Sequence, residues 1–138
     1  MTVYLLGLDE KVLSGGSGWP SRAERFDKKY GSIIGRLFEA LIQLCLNTYA
    51  SVNHAKLFFV KTYRGDHEVD FILQKDSKVI ACEVKFSPTV DVSDGKHLRW
   101  FIEKVGSDCL DAIIITTGGI AYRRKDGIAV VPAALLGA

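Results

Sequence analysis

The sequence predicts an α/β fold in which a mixed β-sheet is flanked by helices, and three observations carry that expectation. A long amphipathic segment is followed at once by three runs of β-forming residues separated by short polar turns. A second helical segment opens shortly after Pro88. Behind it stand a mostly apolar run of strand length and a last short strand, and a helix lying between strands favours a right-handed crossover with parallel pairing of the strand that follows. The expected order is helix, three strands, helix, strand, strand. A chain of 138 residues is one domain in size and can bury a hydrophobic core without disulfides or structural metal.

Residues 1–30 read as a poorly defined lead-in. A short apolar stretch, Val3 to Leu8, is followed by the breaker cluster Ser14-Gly15-Gly16-Ser17-Gly18-Trp19-Pro20 and a charged run through Lys28 and Lys29. The domain proper is expected over 31–138. From Ser32 to about Tyr49, Ile34, Leu37, Phe38, Leu41 and Cys45 recur at helical spacing, which predicts a helix that buries that arc. Leu57 to Tyr63, Glu68 to Gln74 and Lys78 to Phe86 then predict an antiparallel meander, broken at Arg64-Gly65-Asp66 and Lys75-Asp76-Ser77. Ser93 or Asp94 is expected to cap a helix running to about Val105, with Leu98, Phe101, Ile102 and Val105 as its buried face. Asp111 to Thr117 and Gly127 to Pro132 complete the sheet, with Gly118-Gly119 read as a turn.

Composition narrows the function. A net charge of +2 means that any affinity for nucleic acid must come from a local patch. Cys45, Cys82 and Cys109 show no zinc-ligand spacing and no disulfide framework, and read as buried thiols in a reducing compartment. The first residues lack a basic leader pattern, and no uncharged apolar run is long enough to span a bilayer, so a soluble cytoplasmic protein without membrane contact is expected.

The chemistry is concentrated in Glu68-Val69-Asp70-Phe71 and Glu83-Val84-Lys85. Pairing symmetric about Asp76-Ser77 sets Asp70 opposite Glu83 and Glu68 opposite Lys85. Strand alternation then groups Glu68, Asp70 and Ile72 with Ala81, Glu83 and Lys85 on one face. Val69, Phe71, Leu73, Ile80, Cys82 and Val84 form a wholly apolar face expected to be the core. Opposed Cβ atoms lie roughly 4.5–5.5 Å apart, so two carboxylates meet and call for a compensating cation. Mg²⁺ or Mn²⁺ suits such oxygen ligands and keeps waters that can attack a phosphodiester. Lys85 could orient or deprotonate that water or stabilise developing negative charge. By itself Glu-x-Lys on a strand reads as a solvated ion pair; Asp70 across the hairpin gives it a second meaning. Glu68 facing Lys85 is expected to be a cross-strand salt bridge that holds the lysine.

These residues resemble the PD-(D/E)XK nuclease superfamily. Their spelling is most similar to an uncharacterised domain usually found at the carboxy end of AAA-class ATPases, over about Gly31 to Leu136. The resemblance implies a restriction-endonuclease-like sheet, with Asp70 and Glu83 as metal ligands, Lys85 assisting catalysis and Glu39 on the first helix completing the metal site. It implies a Mg²⁺-dependent nuclease acting on DNA, or alternatively a non-catalytic binding or regulatory module of an AAA-class ATPase. No proline precedes Asp70, and the lead-in holds no GxxxxGK[ST] phosphate loop, so an ATPase partner would have to lie elsewhere, whether this is a piece of a larger protein or a free-standing relative.

Of the scattered basic residues Lys61, Arg64, Lys96, His97, Arg99, Arg123 and Arg124, substrate binding is assigned to Lys96, Arg99 and Arg64. The superfamily often sets a basic or amide group on its second helix. His67, a lone loop histidine, stays outside the catalytic set, and Trp100 reads as packing or a dimer contact. Low net charge leaves room for a homodimer or another partner to supply part of the binding surface.

Overall fold

The structure is a computed structural model that describes residues 3–5 and 31–137. Helix α1 spans Gly31–Val52, and β2 (Lys56–Thr62), β3 (Glu68–Lys75) and β4 (Lys78–Lys85) follow as the meander. Helix α2 (Lys96–Val105) leads through a single 3₁₀ turn into β5 (Cys109–Thr116), β6 (Tyr122–Arg123) and β7 (Ala129–Pro132). A further strand, β1 (Val3–Leu5), pairs antiparallel with β2 at the edge of the sheet. The reading of 1–30 as a lead-in did not anticipate this strand, and the two-residue β6 was not anticipated either; the rest of 1–30 lies outside the described residues.

The sheet order is β1-β2-β3-β4-β5-β7-β6. The meander is antiparallel, whereas β5 runs parallel to both β4 and β7. This is the mixed α/β architecture expected, with the crossover through α2 supplying the parallel step. No helix is long and apolar enough to cross a membrane among the described residues.

The β3/β4 register is the expected one, with Phe71 opposite Cys82, Ile72 opposite Ala81 and Lys75 opposite Lys78. Asp76 takes positive φ in the two-residue turn. Both faces of the sheet are buried, which corrects the expectation of one core face. Phe71, Cys82 and Ile115 pack under Ile42 and Leu46 of α1. Ile72, Ala81 and Ile114 pack under Leu98 and Phe101 of α2.

Strict alternation also fails at one place. Phe58 pairs with Ile72 and Val60 with Val69, so a single β2 residue faces Asp70 and Phe71 together. This bulge turns Val69 to the same side as Ile72 and re-aims Asp70 between them.

Helix α1 buries a different arc from the expected one. Ile42, Leu46 and Ala50 are its buried residues, with Phe38 packed beside them, while Ile34, Leu37 and Leu41 are exposed. Two apolar arcs share this helix, and periodicity alone cannot rank them. The short turn through Asn53 and His54, the latter at positive φ, enters β2 directly and selects the arc that meets the sheet.

Candidate functional site

Strands β3 and β4 part company just beyond Phe71 and Cys82. Where the next ladder bond would fall, the backbone N–H of Val84 donates instead to Asp70 Oδ2 at 2.8 Å. Asp70 and Glu83 thus come from opposed positions, as expected, but at a split in the sheet and not across a continuous ladder. On its other edge β4 keeps pairing in parallel with β5 through Lys85 and Thr116, which holds Glu83 and Lys85 in place.

Burial pushes the Asp70 carboxyl up to about 7. The Val84 N–H opposes this, while the carboxylates of Glu39, Glu83 and Glu68 each raise it further. Glu39 therefore does stand within electrostatic reach of Asp70, and its own pKa is raised by desolvation and by Glu68 although its side chain keeps solvent contact. Glu83 is also raised, first by burial and then by Asp94, against the Gly95 N–H, Lys85 and Arg124. Its Oε2 is a buried oxygen without a hydrogen-bond partner. Among the described residues, however, no three His, Cys, Asp or Glu side chains form a group able to hold a metal ion by themselves. Asp70 and Glu83 fit a cation of the magnesium type, which is commonly bound by one or two carboxylates with water and phosphate oxygens filling the rest.

Lys85 does not pair with Glu68. Glu68 lies 3.5 Å from Lys61 on β2, because the β3/β4 ladder has ended before it. Lys85 Nζ instead donates to Asp94 in a close ion pair, with Asp91 at 4.0 Å. Asp94 is therefore not the helix cap that its position before α2 indicated. Gly95 occupies the N-cap at φ 81°, and Asp94 Oδ2 also accepts the N–H of Asp91.

The loop carrying Asp94 is tied down from the C-terminal part of the chain. Arg124 donates to the carbonyls of Asp91, Val92 and Asp94 at 3.1, 3.0 and 2.9 Å. Arg99 reaches Asp94 O and bonds Asp126 at 3.0 Å. Arg99, expected to bind substrate, is thus committed to structure. Arg123 likewise forms a two-pronged pair with Asp111. Lys96 and Arg64 are exposed, at the start of α2 and in the β2–β3 turn respectively. A cavity of about 350 Å³ lined by Val90, Asp91, Tyr122 and Arg124 borders this loop.

His67 stacks on Trp100 with ring centroids 4.3 Å apart, and its Nδ1 lies 3.4 Å from Nδ1 of His97. Sequence reading missed this contact, as it missed Asp94. The β2–β3 turn and α2 meet only in three dimensions, and nothing in the local spelling signals it.

The fold and site define a three-layered α/β domain, with a helix on each face of the sheet, whose sheet splits to present a carboxylate pair and a lysine. The chain belongs to the DUF4143 family, a domain of unknown function, whose family model matches residues 34–136. No curated protein and no solved structure matches it.

Proposed function

We propose that this domain is a Mg²⁺- or Mn²⁺-dependent nuclease of the PD-(D/E)XK type acting on DNA. The observation that carries the reading is the buried, unpartnered Oε2 of Glu83 near an Asp70 whose charged neighbours among the described residues are the carboxylates of Glu39, Glu83 and Glu68. Such a concentration of negative charge favours a bound cation over two ionised carboxylates alone, because Lys85, which lowers Glu83, is itself paired with Asp94. Asp70 and Glu83 would hold the ion, and Glu39 would contribute its charge from α1. When bound, it would supply a Lewis acid and an activated water for phosphodiester hydrolysis. Lys85, fixed by Asp94, presents a positioned positive charge for a phosphate oxygen. Of the three basic residues assigned to substrate, exposed Lys96 and Arg64 would contact the nucleic-acid backbone. The thiols of Cys45, Cys82 and Cys109 are free, which suits a cytoplasmic setting.

That no three-residue metal-binding group stands among the described residues favours a second reading, a non-catalytic module that serves an AAA-class ATPase. Calorimetry with Mn²⁺ and Mg²⁺ beside a cleavage assay on plasmid and linear DNA separates the two. The nuclease reading expects a binding heat lost in Asp70→Asn and Glu83→Gln, retained in Lys85→Ala, and cleavage lost in all three. Cleavage unchanged in Asp70→Ala and Lys85→Ala overturns it, and a chain that gives neither heat nor cleavage supports the module.

A further inference from the structure

Apart from the carboxylates, the β2–β3 turn and the first turn of α2 bring two imidazole nitrogens together. Nδ1 of His67 and Nδ1 of His97 lie 3.4 Å apart. That is long for a hydrogen bond donated by a ring N–H, whose usual range ends near about 3.2 Å. Two nitrogen ligands on one tetrahedral Zn²⁺, each about 2.0–2.1 Å from the metal, stand roughly 3.3–3.4 Å from each other. The pair therefore already has the spacing of one edge of such a site.

Both rings are fixed from behind. His67 lies flat on the Trp100 indole, with planes within 5° of parallel, and Trp100 packs in turn against the core. The backbone of His67 is pinned as well: its N–H donates to Thr62 Oγ1 at 3.0 Å, and its carbonyl accepts the Thr62 N–H at 2.9 Å. His97 stands edge-on to His67, at 82°, on a helix whose next residue, Leu98, is fully buried. Rings held this way lose little freedom on taking a metal. Neither Nε2 has a protein partner among the described residues, so each can carry its ring's proton into water and leave both Nδ1 lone pairs converging. Such lone pairs repel each other, and a cation between them removes the repulsion. Burial, then Lys96 and His67, hold His97 below its ordinary value against Glu68, which keeps the ring in its neutral, ligating form.

We propose that His67 and His97 form a binding site for a divalent cation of the Zn²⁺ type, which ties the β2–β3 turn to α2. Nitrogen donors separate it from the Mg²⁺-type pair of Asp70 and Glu83, and it does not rest on the nuclease reading. Two protein ligands leave the rest of the coordination sphere to water, so binding is weaker than at a structural zinc centre.

Calorimetric titration of the untagged 138-residue chain with Zn²⁺ tests the proposal. One-to-one binding is expected, weakened at least about tenfold in His67→Gln and in His97→Gln. It should be kept in His54→Asn, the third histidine, in the turn after α1, and in the Asp70→Asn/Glu83→Gln double variant. The turn is held through the backbone of His67, so His67→Gln leaves those bonds in place. Excess Zn²⁺ should raise Tm by several degrees in wild type and not in His97→Gln. NMR of the imidazole nitrogens needs no substitution, and Zn²⁺ should move those of His67 and His97 while leaving those of His54. Absence of binding heat up to about 1 mM Zn²⁺ overturns the proposal. So does binding indifferent to both Gln variants, or binding lost in Asp70→Asn/Glu83→Gln, which would assign the ion to the carboxylates. Cys45 and Cys109 are half-buried and not fully buried as their type suggested, which makes them the rival ligands; loss of binding in Cys45→Ser or Cys109→Ser likewise overturns it.

Discussion

Asp70 accepts the backbone N–H of Val84 at 2.8 Å, so a side chain takes the hydrogen bond that a strand would otherwise make, and the sheet opens at that residue. The consequence is a carboxylate held in a buried setting among other carboxylates.

That setting has a pH signature. The Asp70 carboxyl goes from an ordinary 3.8 to about 7 on folding, so between these values the folded protein binds more protons than the unfolded one. Stability therefore falls as pH rises through this window, and the penalty is fully present above pH 7, on the order of 4 kcal/mol at most. Asp70→Asn keeps an oxygen for the Val84 N–H. It should raise Tm by several degrees near pH 8 and leave it close to wild type near pH 4. Equal gains at both pH values would show that the charge is not the cause.

Arg124 and Asp94 should act as one unit on Lys85. Arg124→Ala removes donors to three loop carbonyls and to Asp126, and should destabilise by about 2–3 kcal/mol. With the loop loosened, Asp94→Asn should cost less in the Arg124→Ala background than in wild type. A double-mutant cycle by urea denaturation measures this, and strict additivity would sink the idea.

Gly118 and Gly119 are adjacent, yet only one should resist a side chain. A Cβ on Gly118 would stand 2.7 Å from the carbonyl oxygen of Pro88, whereas one on Gly119 would meet nothing within 4 Å. Backbone cannot rotate aside as a side chain can, so Gly118→Ala should cost about 1–3 kcal/mol. Gly119→Ala should be within about 0.5 kcal/mol of wild type by chemical denaturation, and similar losses for both would refute the packing account.

The two arcs of α1 should separate in the same assay. Ile42, 1% exposed, should cost about 2–5 kcal/mol on replacement by alanine, and Leu41 about 0.5 kcal/mol or less. The reverse order would restore the arc that periodicity favoured.

Much of the fold was legible because strand alternation and turn spelling are local. The meander, the pairing of Phe71 with Cys82 and the crossover through α2 follow from residues close in sequence. The bulge at Asp70 did not, because it depends on how β2 is spaced against β3. The same limit applies to Lys85, whose expected partner in the hairpin is Glu68 but whose actual partner, Asp94, is placed by Arg124 from thirty residues further on. Helix α1 offered two apolar sides, and a one-dimensional period carries no information on which of them has a sheet beneath it.

The parallel placement of β5 between β4 and β7 also has a temporal meaning. The hairpin bearing Asp70 and Glu83 closes a loop of two residues and can form early, whereas contacts with β7 must wait for a far longer loop to close. Arg124, which pins the Asp94 loop, precedes that strand in the chain, so the expected order is that the carboxylates assemble first and the lysine receives its partner last. Amide hydrogens in the meander should thus outlast those of the 91–95 loop in exchange, and partial opening of the C-terminal strands would release Lys85 before it disturbs Asp70.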